Sequence, residues 1–117
     1  LLEELDRLPP PHPVVVSHTA CTDHVLLELF GDRVAASSTK GATGHTLGAA
    51  GGLEAVICAL ALTDGLVPAN VGLDTPDPGI HIRLQHQVEH RSVHHVLSNS
   101  FGFGGTNASL VFGQEVA

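Results

Sequence analysis

Two short stretches hold the residue types able to do chemistry. Residues 37–45 read Ser-Ser-Thr-Lys-Gly-Ala-Thr-Gly-His, and residues 99–107 read Asn-Ser-Phe-Gly-Phe-Gly-Gly-Thr-Asn. Lys40 and His45 stand five positions apart among small residues, directly ahead of a long apolar stretch. Small residues let a ligand or another backbone approach closely, and ionisable groups held beside an apolar element tend to acquire tuned proton affinities. An ammonium, an imidazole and a distant glycine–phenylalanine loop together read as half of an active site.

The elements that must position them follow from pattern and punctuation. Residues 46–64 form the clearest helix, Gly- and Ala-rich at first and then Ala-Val-Ile-Cys-Ala-Leu-Ala-Leu, apolar all round except for Glu54. A helix of that kind is surrounded by protein, and Gly65 is its natural stop. Residues 1–8 have a short amphipathic pattern ended by Pro9, Pro10, Pro11 and Pro13. Val14 to Val16 is a β-branched run and reads as a buried strand. Residues 23–30 read as a brief helix closed by Gly31, and 34–36 as a short strand. Residues 70–79 form a loop by turn chemistry, and 80–84 alternate as a strand. Residues 93–100 and 108–112 read as strands joined by the Gly-Phe-Gly-Gly turn, hence antiparallel neighbours. The class is α/β, without internal repeat or second domain. A helix apolar on every side needs more cover than 117 residues supply, which implies a missing partner layer or subunit.

Composition narrows the function. The hydrophobic fraction is 43% and the charged fraction 15%, a core-forming balance. A net charge of −7 argues against a sequence-independent nucleic-acid binder. Cys21 and Cys58 are too few for a disulfide framework, which points to a reducing, cytoplasmic setting. No signal-peptide pattern opens the chain, and the apolar stretch 47–62 is short for a membrane span and carries Glu54. The spacing His18-x2-Cys21-x2-His24 is one zinc could use, but no fourth ligand is near, so no metal is expected. The remaining histidines predict pH-sensitive charge. Gly102, Gly104 and Gly105 do not make a dinucleotide fingerprint.

Three motifs in order resemble the C-terminal half of the β-ketoacyl-acyl carrier protein synthases: Ser-Ser-Thr-Lys-Gly-Ala-Thr-Gly-His-Thr-Leu-Gly-Ala-Ala-Gly-Gly-Leu-Glu, then Val-Pro-Ala-Asn with Leu-Asp-Thr-Pro-Asp-Pro, then Ser-Asn-Ser-Phe-Gly-Phe-Gly-Gly-Thr-Asn-Ala-Ser-Leu-Val-Phe. The likeness is best over 30–112 of a single domain, 1–117, with 1–29 divergent or shortened. It implies a thiolase-like half: a mixed β-sheet packed on the apolar helix, which becomes a buried middle layer once an N-terminal half or partner is added. It further implies acyl transfer with decarboxylative condensation of malonyl thioesters, in fatty-acid or polyketide assembly. Substrates would ride on the phosphopantetheine of acyl carrier protein, with no other cofactor and no metal. The partners implied are acyl carrier protein and a second synthase subunit, either as a homodimer or as a full-length synthase.

Carried over residue by residue, the resemblance makes Lys40 and His45 catalytic and gives Glu54 the task of holding Lys40. Phe103 supplies an oxyanion-hole N–H and gates the acyl pocket. His18 falls near the place of the family's first histidine, but the following Gly of that motif is missing and the spacing to Lys40 is short. Thr19-Ala20-Cys21-Thr22 also resembles the family's nucleophile motif, which would make Cys21 the acyl carrier. Both alignments of 18–22 stand open. A different class of reading is a truncated, non-catalytic paralogue or gene fragment that pairs with a full-length synthase. Cys58 reads as an inert core thiol.

Overall fold

The computed structural model describes residues 14–17 and 23–114, with side chains from Leu26 onward. The amphipathic 1–8 segment, His18 and Cys21 lie outside the described residues, as does the side chain of His24.

Five strands form the main sheet. In spatial order they are Arg83–Leu84, Ala35–Ser37, Val14–Ser17, His95–Phe101 and Asn107–Gly113. Numbered along the chain these are β1 (Val14–Ser17), β2 (Ala35–Ser37), β4 (Arg83–Leu84), β6 (His95–Phe101) and β7 (Asn107–Gly113). β4, β2, β1 and β6 run parallel, with Val14 opposite both Ala35 and Val96. β7 returns antiparallel on β6, from His95 opposite Gly113 to Phe101 opposite Asn107, as the glycine-rich turn between them predicts. A separate two-stranded ribbon pairs β3 (Leu66–Val67) with β5 (Glu89–His90).

Helices cover both faces of the sheet. Helix α1 (Asp23–Phe30) ends at Gly31, whose φ of 60° and N–H bond to the Leu27 carbonyl close the last turn. Helix α2 (Lys40–Thr43) is one turn long. Helix α3 (Ala50–Asp64) follows a 3-10 turn at Leu47–Ala49 and stops at Gly65 in the left-handed region. Alternation along the strands divides the core. Ala35 and Val96 face α3 and pack with Cys58, Ala61, Leu62, Val67 and Val93, while Val34 and Leu97 face α1 and pack with Leu26 and Phe30.

One sequence expectation changes in detail. The strand expected at 80–84 shrinks to Arg83–Leu84, because the Asp77 side chain accepts from the Gly79 N–H and its carbonyl from the Ile80 N–H, holding Ile80 in a turn. The described residues cover α3 on one side only, in keeping with a helix that needs more cover than 117 residues supply. Ala50, Glu54, Cys58, Ala61 and Leu62 are buried against the sheet. Leu53, Val56 and Leu60 form an exposed apolar stripe on the other side, with Leu60 52% exposed. Leu47–Asp64 is apolar enough by length and composition to cross a membrane, yet one side of it is built into this core.

Candidate active site at the carboxyl edge of the sheet

Because β2, β1 and β6 are parallel neighbours, their carboxyl ends lie along one edge. That is where ligands bind in open α/β sheets. β2 leads through Ser38 and Thr39 to Lys40, and β6 leads to the Phe103 loop. β1 leads in sequence to His18 and Cys21, which lie outside the described residues. The strands change character on the way to this edge. Val34, Ala35, Ala36, Val96 and Leu97 give way to the buried polar residues Ser37, Ser98 and Asn99. Buried polar groups are costly in a core, so such a run at one edge of a sheet marks a place reserved for something other than packing.

Lys40 opens α2 and is half-buried. Partial burial lowers its proton affinity below the ordinary lysine value of 10.5, and the Glu54 carboxylate pulls in the opposite sense. Glu54 projects from the first turns of α3 and is 4% exposed. The structure thus brings Lys40 and Glu54 into electrostatic reach of one another. One turn further along α3, Cys58 is fully buried. Its thiol is pushed up to about 11, first by burial and further by Glu54, against a hydrogen bond with the Ser98 side chain that favours the thiolate. A thiol so protonated is a packing group at neutral pH.

His45 sits on the exposed link between α2 and the 3-10 turn. Its Nδ1 accepts the Leu47 N–H at 3.2 Å. An accepting Nδ1 carries no proton, so the neutral ring has its proton on Nε2 and presents that nitrogen as a donor. The turn that makes this bond is unusual. Gly44 has φ 74° and ψ 175°, and Leu47, a residue with a Cβ, has φ 52°. Left-handed backbone at a leucine costs about 1 kcal/mol and is kept where surrounding structure requires it.

Phe103 lies in the turn between β6 and β7 with its ring wholly exposed. The turn is closed by the Gly102 N–H on the Thr106 carbonyl at 2.8 Å and the Gly105 N–H on the Gly102 carbonyl at 3.2 Å, and neither bond uses the Phe103 N–H. Gly104 and Gly105 both have φ above 90°, where a side chain would be strained. The ring packs on no wall supplied by the described residues. Among them, no three His, Cys, Asp or Glu side chains gather as metal ligands.

One residue that spacing did not single out is Asn70. Its side chain joins the chain before Lys40 to the strand beside it, through Ser38, Ala36 and Gln85. The sequence signal was present only as the Asn that ends Val-Pro-Ala-Asn; its partners are 15 to 34 residues away.

Residues 19–74 match the family described as "Beta-ketoacyl synthase, C-terminal domain". The chain is 51% identical over 81 residues to 3-oxoacyl-[acyl-carrier-protein] synthase 2 of Vibrio harveyi, a stretch covering 68% of this chain and 20% of that protein. The ketosynthase ApeO in complex with its chain length factor ApeC, from Xenorhabdus doucetiae, aligns with TM-score 0.72 and 37% identity over 86% of this chain and 28% of its own. A type II polyketide acyl-carrier protein in complex with its ketosynthase, AntDE:AntF, aligns with TM-score 0.76 and 25% identity over 84% of this chain and 27% of the matched chain. The chain therefore spans about a fifth of the length of the curated relatives it matches.

Proposed function

We propose, for a chain whose sequence places it with the C-terminal portion of the β-ketoacyl synthase family, that it supplies the lysine–histidine side of a decarboxylating condensing site. The observation that carries this is the Leu47 N–H bond to His45 Nδ1, which assigns the ring proton to Nε2, on the same short segment as a half-buried ammonium at the carboxyl edge of a parallel sheet. In the reaction proposed, the bond between the malonyl thioester's α-carbon and its carboxylate breaks and carbon dioxide leaves. The electron pair stays behind as an enolate whose oxygen accepts the His45 Nε2–H. The enolate carbon then attacks an acyl thioester carbonyl, a carbon–carbon bond forms, and the acyl carbon–sulfur bond breaks with the thiolate leaving. The Phe103 N–H serves the oxyanion of that second step and its ring the mouth of the acyl pocket. Glu54 holds Lys40. Fixed donors aimed at developing charge are worth about 3–4 kcal/mol each.

The acyl group is carried on a cysteine of the complete protein, with Cys21 and a residue outside this chain as the two candidates, and His18 would be the other imidazole. Substrates come on the phosphopantetheine of acyl carrier protein in the cytoplasm, and the working unit pairs with a second synthase subunit. The carrier-protein partner is supported by a solved relative found with an acyl-carrier protein, and the pairing by one found with a chain length factor. The test is malonyl-carrier protein decarboxylation and condensation by the gene product at its native length. Lys40→Ala and His45→Ala are each expected to lower turnover about 10²–10³-fold. A His45→Ala protein that decarboxylates at the wild-type rate would remove His45 from the reaction.

The exposed stripe of Leu53, Val56 and Leu60 favours one second reading, a non-catalytic chain that pairs with a full-length synthase. The mass of the product in its source cells separates the two. A mass near 12.1 kDa supports the partner chain, and one several times larger supports the condensing enzyme.

A further inference from the structure

We propose that Asn70 is the positioning residue for Lys40, clamping the loop that carries it so that the ammonium is held at the sheet edge beside Glu54. One planar amide makes three bonds. Its Oδ1 accepts the Ser38 N–H at 2.7 Å, and its Nδ2 donates to the Ala36 carbonyl at 3.0 Å and to the Gln85 carbonyl at 2.9 Å. The Asn70 backbone N–H also donates to Gln85, at 2.8 Å, and the Gln85 N–H donates to Ala36 at 2.9 Å. The side chain therefore extends the β2–β4 pairing past its last strand residues and fixes the backbone two positions before Lys40.

The next residue fixes the other side. A Cβ on Gly41 would overlap the Val71 carbonyl, so this backbone rests directly on the residue after Lys40. Asn70 and Val71 bracket Lys40 fore and aft, and neither needs to touch it. The amide is demanded by chemistry. An acceptor and two donors are needed within one short reach, which Asp cannot supply for want of donors, Ser cannot supply in number, and Gln supplies only one methylene too far out. Lys40 makes the arrangement readable, because it is the single lysine of the chain. Among the described groups, Glu54 on α3 is the charge that acts on it.

This deepens the proposed function and rests on it for the purpose of Lys40, but the test requires no turnover. The Lys40 side-chain NMR signal is titrated with pH in the full chain, in wild type, Asn70→Ala and Asn70→Ser, alongside amide exchange at Ser38 and Val96. In wild type, Lys40 is expected to titrate below the ordinary lysine range, with the Ser38 amide protected. In the variants the titration moves up toward that of an exposed lysine, and Ser38 exchange quickens about tenfold relative to Val96. Variants whose Lys40 titrates as in wild type while Ser38 exchange accelerates would reduce Asn70 to a fold residue and overturn the proposal. If Asn70→Ala fails to fold, Asn70→Ser carries the same comparison. The wild-type chain alone overturns the proposal if its Ser38 amide exchanges as fast as an unstructured peptide. A condensing reading that failed on turnover would leave these titrations unchanged, so the two failures are distinct.

Discussion

The alkaline stability of this chain should be set by Cys58, and removing that thiol should flatten it. In the folded chain the thiol is raised from 9.0 to about 11, chiefly by burial. Between those values the unfolded chain has lost the proton and the folded chain still holds it, so stability falls as pH rises. The contribution is present in full below pH 9 and gone once pH passes about 11. Two units at about 1.4 kcal/mol each make it about 3 kcal/mol. Lys40 works the other way, since its lowered affinity makes stability rise with pH in the window just below 10.5. Comparing wild type with Cys58→Ala cancels Lys40 and isolates the thiol. The sequence suits the experiment, having no tyrosine and a single lysine to titrate nearby. The assay is urea unfolding from about pH 8 to about pH 12. At the lower end Cys58→Ala is expected to be the less stable by about 1–2 kcal/mol, for the cavity it leaves. The gap should then close and reverse by the upper end. Because Glu54 adds to the rise, Glu54→Gln should leave the onset near pH 9, which the unfolded chain sets, but make the alkaline loss smaller and complete at lower pH. Parallel curves for wild type and Cys58→Ala at every pH would refute the reasoning.

Four further outcomes follow from backbone and exposure. Gly44→Ala forces a Cβ into a φ of 74° and should cost about 1–3 kcal/mol in urea unfolding. Gly48→Ala, with open space around the new methyl group, should be neutral or slightly stabilising in the same assay. Leu60→Ser, on the exposed stripe of α3, should change stability by no more than about 0.5 kcal/mol, whereas Val96→Ala in the closed core should cost about 2 kcal/mol or more.

What was legible in the sequence was local. Val14 to Val16, the Gly31 and Gly65 stops and the β6–β7 hairpin all follow from residue type and turn chemistry within a few positions. Lys40, His45 and Glu54 stood out because they are ionisable among small or apolar neighbours. Four things were not legible. The two-residue strands β3 and β5 are too short to carry a period. The side of α3 that meets the sheet could not be told from the other, because both are apolar and Leu60 looks no different from Leu62 until one is covered. The Asn70 clamp depends on partners up to 34 residues away, and no spacing rule reaches that far. The left-handed Leu47, whose N–H meets His45, has no composition signal at all.

The passage from Val34, Ala35 and Ala36 to Ser37, and from Val96 and Leu97 to Ser98 and Asn99, divides the sheet crosswise into two territories. At one end a substitution is answered by repacking against α1 or α3, and its effect is read in a melting curve. At the other end the buried hydroxyls of Ser37 and Thr39 have no hydrogen-bond partner among the described residues, so a change there alters what the edge can greet more than how the core is filled. A designer can therefore treat the strands as two panels, hardening the amino-terminal one for endurance and redrawing the carboxyl-terminal one for selectivity, joined by the contact between Ser98 and Cys58 and by the Asn70 bonds to Ala36 and Ser38.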